Sequence, residues 1–105
     1  MTTIWDNNIN QQLAKALVNI SDIQIMQNFL RDVMTESEIT EISCRLQAAC
    51  MLQAGIKYTE IMKKTNLSSR TIARISSWIN NGCNGYIQVI NQINHQNHIP
   101  PVSAD

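Results

Sequence analysis

The sequence predicts an all-α protein of five or six helices that carries a helix-turn-helix. Three observations lead there. Apolar residues recur at three- and four-residue spacing along most of the chain, and strand-like alternation is almost absent. Capping and breaking residues, among them Ser21, Thr35, Gly55, Asn66 and Ser68, fall between those stripes. Residues 57–79, KYTEIMKKTNLSSRTIARISSWI, read as two short helices joined by a tight turn and hold most of the positive charge.

In the first segment Trp5, Ile9, Leu13, Ala16, Leu17 and Ile20 form one apolar stripe. Ser21 is expected to cap a second helix, in which Ile23, Met26, Phe29, Leu30 and Val33 repeat the pattern. Thr35 followed by Glu38 matches a capping box, the hydroxyl accepting from the third amide and the carboxylate reaching back. Behind it run Ile39, Ile42, Leu46, Ala49, Cys50 and Leu52, with Glu36, Glu38 and Glu41 in the first turns, where negative charge complements the helix dipole. Gly55 ends this third helix as a left-handed residue.

The helix-turn-helix covers about residues 58–80. Ile61, Leu67, Ile72 and Ile75 stand where its two helices need inward contacts. Asn66 sits at the turn, where a left-handed backbone is required, and Ser68 caps the second helix. Met62 occupies a position where a small residue is common, and Thr65 one where an aliphatic is. Then comes the strongest breaker in the chain, Asn80-Asn81-Gly82-Cys83-Asn84-Gly85. Ile87, Val89, Ile90 and Ile93 make a last, short amphipathic piece. Residues 95–105, with Pro100 and Pro101, read as a loose tail behind a single domain over 1–94.

The zero net charge hides an asymmetry. Residues 57–74 hold Lys57, Lys63, Lys64, Arg70 and Arg74 against Glu60 alone, a net of +4, whereas the first 56 residues carry −3. A phosphate-facing patch segregates charge in this way. Three cysteines, Cys44, Cys50 and Cys83, have neither even count nor paired spacing, so a disulfide framework is not expected. Cys44 and Cys50 read as small apolar groups. His95 and His98 lack close carboxylate or thiolate partners, so no metal site is expected. No orienting carboxylate neighbours Cys83, and the expectation is no enzyme and no catalytic residue. Nothing at the N-terminus reads as a secretory leader and no run approaches about 18 apolar residues, so the cytoplasm is the expected default.

On the second short helix, Ser69 and Arg70 are the candidates for base edges, Arg70 through a bidentate contact to guanine. Ala73, one turn later, suits a thymine methyl. Thr71, Ser76 and Ser77, with Lys57, Lys63 and Lys64, suit the phosphates of double-stranded DNA, and Ser68 and Arg74 are further candidates for DNA contact. The stripes of the first two helices are too long for the core of a 20-residue reading motif. A second copy of the chain would cover them in a symmetric dimer, which also sets two recognition helices one DNA turn apart. A monomeric six-helix bundle using the same stripes internally is the other arrangement.

The stretch from Met34-Thr35 to Arg45, then Leu52-Gln53-Ala54-Gly55, Glu60-Ile61 and Thr71-Ile72-Ala73-Arg74, resembles the tryptophan repressor superfamily. Trp78-Ile79-Asn80-Asn81-Gly82-Cys83-Asn84-Gly85-Tyr86 is most similar to its YerC/YecD-type branch. The resemblance implies an intertwined homodimer acting as a transcriptional regulator, a repressor by type. It also implies a ligand pocket: Arg45 and Arg74 match the two arginines that hold an indole in tryptophan-responsive members, and Thr35 matches a residue of that slot. Ile75 replaces a glycine and Trp78 a serine there, and both take up clearance that a flat ligand needs. No cofactor is therefore expected, and tryptophan as corepressor is disfavoured. Trp78 follows Arg74 by four residues, so the pair is expected to meet, guanidinium over ring. A ligand-gated repressor and a helical module that binds another protein are the alternatives.

Overall fold

The computed structural model describes residues 3–97, all of whose regular elements are helical. His98 and the expected tail from there to residue 105 lie outside the described residues. Six α-helices follow a 3-10 turn: α1 (Asn8–Val18), α2 (Ile23–Val33), α3 (Glu36–Gln53), α4 (Tyr58–Thr65), α5 (Ser69–Asn81) and α6 (Gly85–Asn97). Contacts divide the chain between Ile39 and Thr40 into two compact units.

In the first unit the 3-10 turn Ile4–Asp6 is closed by a capping box. The Asp6 carboxylate accepts from the Thr3 amide at 2.8 Å, and the Thr3 hydroxyl accepts from the Trp5 amide at 3.2 Å. Asn7 then caps α1, accepting from the amides of Ile9 and Asn10. The side chains of Asn10 and Gln11 donate to the carbonyls of Ile4 and Trp5, which fastens the turn to α1. Trp5 thus precedes the first helix instead of joining its stripe. Asp22, not Ser21, caps α2: its carboxylate accepts from the Gln24 and Ile25 amides at 2.7 and 3.1 Å, and an anion at that end also meets the positive pole of the helix. No residue from Thr3 to Ile39 is buried.

The second unit holds the core. Ala48, Ala49 and Met51 of α3, Ile61 of α4, Ile72, Ile75 and Ile79 of α5 and Ile90 of α6 are buried together. Each isoleucine sealed from water contributes roughly 1.5–3 kcal/mol. Leu46, Cys50, Leu52, Ile56, Leu67, Tyr86 and Ile87 pack on its edge, so Cys50 serves as the apolar group its position suggests. Burial pushes the Cys50 thiol up from its ordinary range. Gly55, at φ 80°, closes α3: its amide donates to the Leu52 carbonyl and that of Ile56 to Met51. The last helix runs through Asn97, past the boundary expected at residue 94, because no proline interrupts its pattern before Pro100.

Candidate nucleic-acid interface

The α4–α5 pair is built by local chemistry. Asn66 takes φ 61°, ψ 17° and its amide donates to the Met62 carbonyl, which turns the chain in a single left-handed step. Thr65, the buried polar residue of the pair, donates its hydroxyl proton to the Ile61 carbonyl at 2.8 Å and accepts from the Leu67 amide at 3.3 Å. A threonine thus fills the aliphatic position, both capacities of its hydroxyl being used. Met62, in the place of a small residue, is exposed.

Ser68 opens α5, its hydroxyl accepting from the Thr71 amide at 3.2 Å and donating to the Thr71 hydroxyl at 3.1 Å. Two of the expected DNA-contact residues therefore bond to each other. At an α-helical step of about 100° per residue, Ile72, Ile75 and Ile79 share one face of α5, and all three are buried. Arg70, Ala73, Arg74 and Ser77 occupy the opposite face, and all four are exposed. Core packing thus fixes which side of the helix faces outward.

The cations around this face are largely unengaged. Lys63 lies 3.9 Å from Glu60 across an exposed pair. Lys57, Lys64, Arg70 and Arg74 enter no ion pair among the described residues. Lys57 precedes α4, whereas Lys63 and Lys64 sit in its last turn, where positive charge suits the dipole.

The structure brings together two of the residues expected in a ligand pocket. A cleft of about 560 Å³ lies between α3, α5 and α6, lined by Ile42, Arg45, Leu46, Trp78, Tyr86 and Val89, with Gly82, Cys83 and Gly85 at the α5–α6 joint. Of the anticipated residues only Arg45 and Trp78 line it. Ile75 is fully buried in the core, Arg74 lies on the outer face of α5, and Thr35 caps α3, its hydroxyl accepting from the Glu38 amide and its amide donating to Glu38. The guanidinium over the Trp78 ring belongs to Arg45, 6.0 Å from the centroid, in place of the expected Arg74. The Glu41 carboxylate holds Arg45 at 2.9 Å, while the buried Nε of Arg45 has no hydrogen-bond partner among the described residues. Sequence reasoning left out Tyr86, Val89, Ile42 and Leu46 as lining. The spacing of Ile42, Arg45 and Leu46 on one helical face was the available signal.

Among the described residues no cluster of His, Cys, Asp and Glu has the composition of a metal site, and no helix is long and apolar enough to cross a membrane.

Comparison with known proteins agrees with this architecture. The Trp repressor protein family matches residues 9–94. The uncharacterized protein YerC of Bacillus subtilis is 29% identical over 82 residues, 78% of this chain and 79% of that protein. The crystal structure of a TrpR-like protein from Eubacterium eligens superposes with a TM-score of 0.81 at 31% identity, covering 85% of this chain and 92% of the other. A Staphylococcus aureus structure, 24% identical with a TM-score of 0.81 over 89% and 96% of the two chains, has the same fold. With six helices, a helix-turn-helix at α4–α5 and a family match over most of its length, the chain belongs to the Trp repressor family.

Proposed function

We propose that this protein is a sequence-specific DNA-binding transcriptional regulator, a repressor by type, that reads a palindromic operator as a homodimer without a tryptophan gate. The observation that carries the reading is the two-faced α5. Ile72, Ile75 and Ile79 anchor it, while Arg70, Ala73, Arg74 and Ser77 face outward among unpaired cations. Arg70 and Ser69, at the start of α5, address base edges, and Lys57, Lys64 and Arg74 address phosphates.

The dimer is supported by the first unit. Ile9, Val18 and Ile23 are 77%, 83% and 76% exposed, and α1 and α2 bury no residue at all. Apolar surface on that scale marks an association site. Independence from tryptophan is supported by Trp78, whose own indole stands in the cleft beside Arg45.

A second reading, control by some other small ligand, is favoured by the cleft and by the unpartnered Nε of Arg45. Fluorescence anisotropy against DNA enriched from a random pool, at two salt concentrations and with or without tryptophan, tests these readings. A palindromic site bound equally well with and without tryptophan is the expected result. Binding that tightens sharply with tryptophan sinks the ungated reading. No enrichment at low salt leaves a helical module whose partner is a protein.

A further inference from the structure

The joint between α5 and α6 holds two Asn-Gly pairs, Asn81-Gly82 and Asn84-Gly85. Asn-Gly is the dipeptide most prone to cyclise on itself. Glycine has no side chain to hinder its amide nitrogen from attacking the preceding carboxamide. By sequence the two pairs are chemically alike, but the fold separates them.

Asn81 is the last residue of α5, held in helical conformation, and the Gly82 amide donates to the Trp78 carbonyl at 2.8 Å. The nucleophile is therefore engaged. Space there is also closed: a Cβ on Gly82 would stand 2.4 Å from the Trp78 carbonyl oxygen. Asn84 lies outside both helices at φ 69°, and its carboxamide bonds to nothing among the described residues. Gly85 is the first residue of α6, where amides have no intrahelical acceptor. Its N–H has no partner among the described residues, and a Cβ there would meet nothing within 4 Å. The Asn84 carbonyl accepts from the Gln88 amide at 3.2 Å, a bond that does not involve the Gly85 nitrogen.

We propose that Asn84 is a site of spontaneous backbone modification, with water as co-reactant, and that the end of α5 protects Asn81. Hydroxide removes the Gly85 amide proton, and the nitrogen attacks Cγ of Asn84. The new C–N bond closes a five-membered imide as the Cγ–Nδ2 bond breaks and ammonia leaves. Water then opens the imide at either carbonyl. Opening at Cγ restores the main chain with an aspartyl side chain. Opening at the main-chain carbonyl carries the backbone through Cβ and Cγ, adding one carbon to the link between α5 and α6. Both products put a carboxylate at the start of α6, the helix that supplies Tyr86 and Val89 to the cleft.

The test is peptide mapping by mass spectrometry, with fragmentation that separates aspartyl from isoaspartyl, on the full chain aged in warm, mildly alkaline buffer. A parallel sample is aged in urea. In the folded chain position 84 is expected to convert roughly tenfold faster than position 81, since Asn81 must first break a hydrogen bond and fray α5. In urea the two rates converge. Equal rates in the folded chain, faster conversion at 81, or the same gap in urea would each overturn the proposal. Asn84→Gln is expected to remove the fast conversion, because the larger ring closes slowly. A fast phase that survives in that variant overturns the assignment as well.

Discussion

Thr65 shows how one side chain can satisfy two demands. It lies inside the core, yet its hydroxyl both donates to Ile61 and accepts from Leu67 across the turn. Thr65→Val keeps the shape and strips both bonds, leaving the Leu67 amide without an acceptor. The expected cost is about 1–2 kcal/mol in urea unfolding. On the outer face the predictions concern recognition. Arg70→Ala is expected to relax discrimination at one base position and to cost about 1–3 kcal/mol on the cognate site. Lys64→Ala is expected to weaken every sequence alike and to lower the salt slope by about one. Equal effects of the two changes on cognate and random DNA would show that Arg70 reads no base. The cysteines differ by environment: Cys83 is exposed, and Cys50 is half-buried with its thiol pushed up by desolvation. Iodoacetamide at mildly alkaline pH should label Cys83 first, because only thiolate reacts and burial holds Cys50 in the thiol form.

Elements in this chain start and stop on local chemistry, and that is why so much of the helical order is legible in the sequence. Thr35 with Glu38, Gly55, Asn66 and Ser68 each act within four residues of themselves, and each does in the fold what its residue type dictates. Asn66 offers a direct check. Asn66→Ala should destabilise the chain by about 1 kcal/mol in urea unfolding, because alanine tolerates φ 61° poorly, whereas Asn66→Gly should come close to neutral. Where two capping residues adjoin, pattern alone can mislead. The sequence pattern points to Ser21, and the geometry assigns the amides of Gln24 and Ile25 to its neighbour Asp22. Asp22→Ala is accordingly expected to cost about 1 kcal/mol, and Ser21→Ala far less. The cleft was less legible for a different reason. Arg45 meets Trp78 across 33 positions of sequence, and helical periodicity pairs Trp78 only with neighbours such as Arg74.

At the scale of the whole molecule, the buried core belongs to the residues after Thr40, while the first two helices leave theirs in water. Chains this small seldom keep such large apolar side chains exposed, so the proposed dimer carries a thermodynamic signature. A homodimer unfolds by mass action, and its midpoint rises with protein concentration; a monomer's does not. The expected result is a concentration-dependent midpoint that becomes concentration-independent in Ile9→Glu/Ile23→Glu, a variant that charges α1 and α2 and leaves α4 and α5 untouched. The same variant separates assembly from recognition. Two α5 helices joined in one dimer read half-sites about one helical turn apart, about 34 Å. Loss of the dimer should therefore abolish preference for the palindrome while weak, salt-sensitive binding to a single half-site persists. If the variant stays dimeric, α1 and α2 are not the seam. If it becomes monomeric and still prefers the palindrome, two-fold symmetry is not how this protein reads DNA.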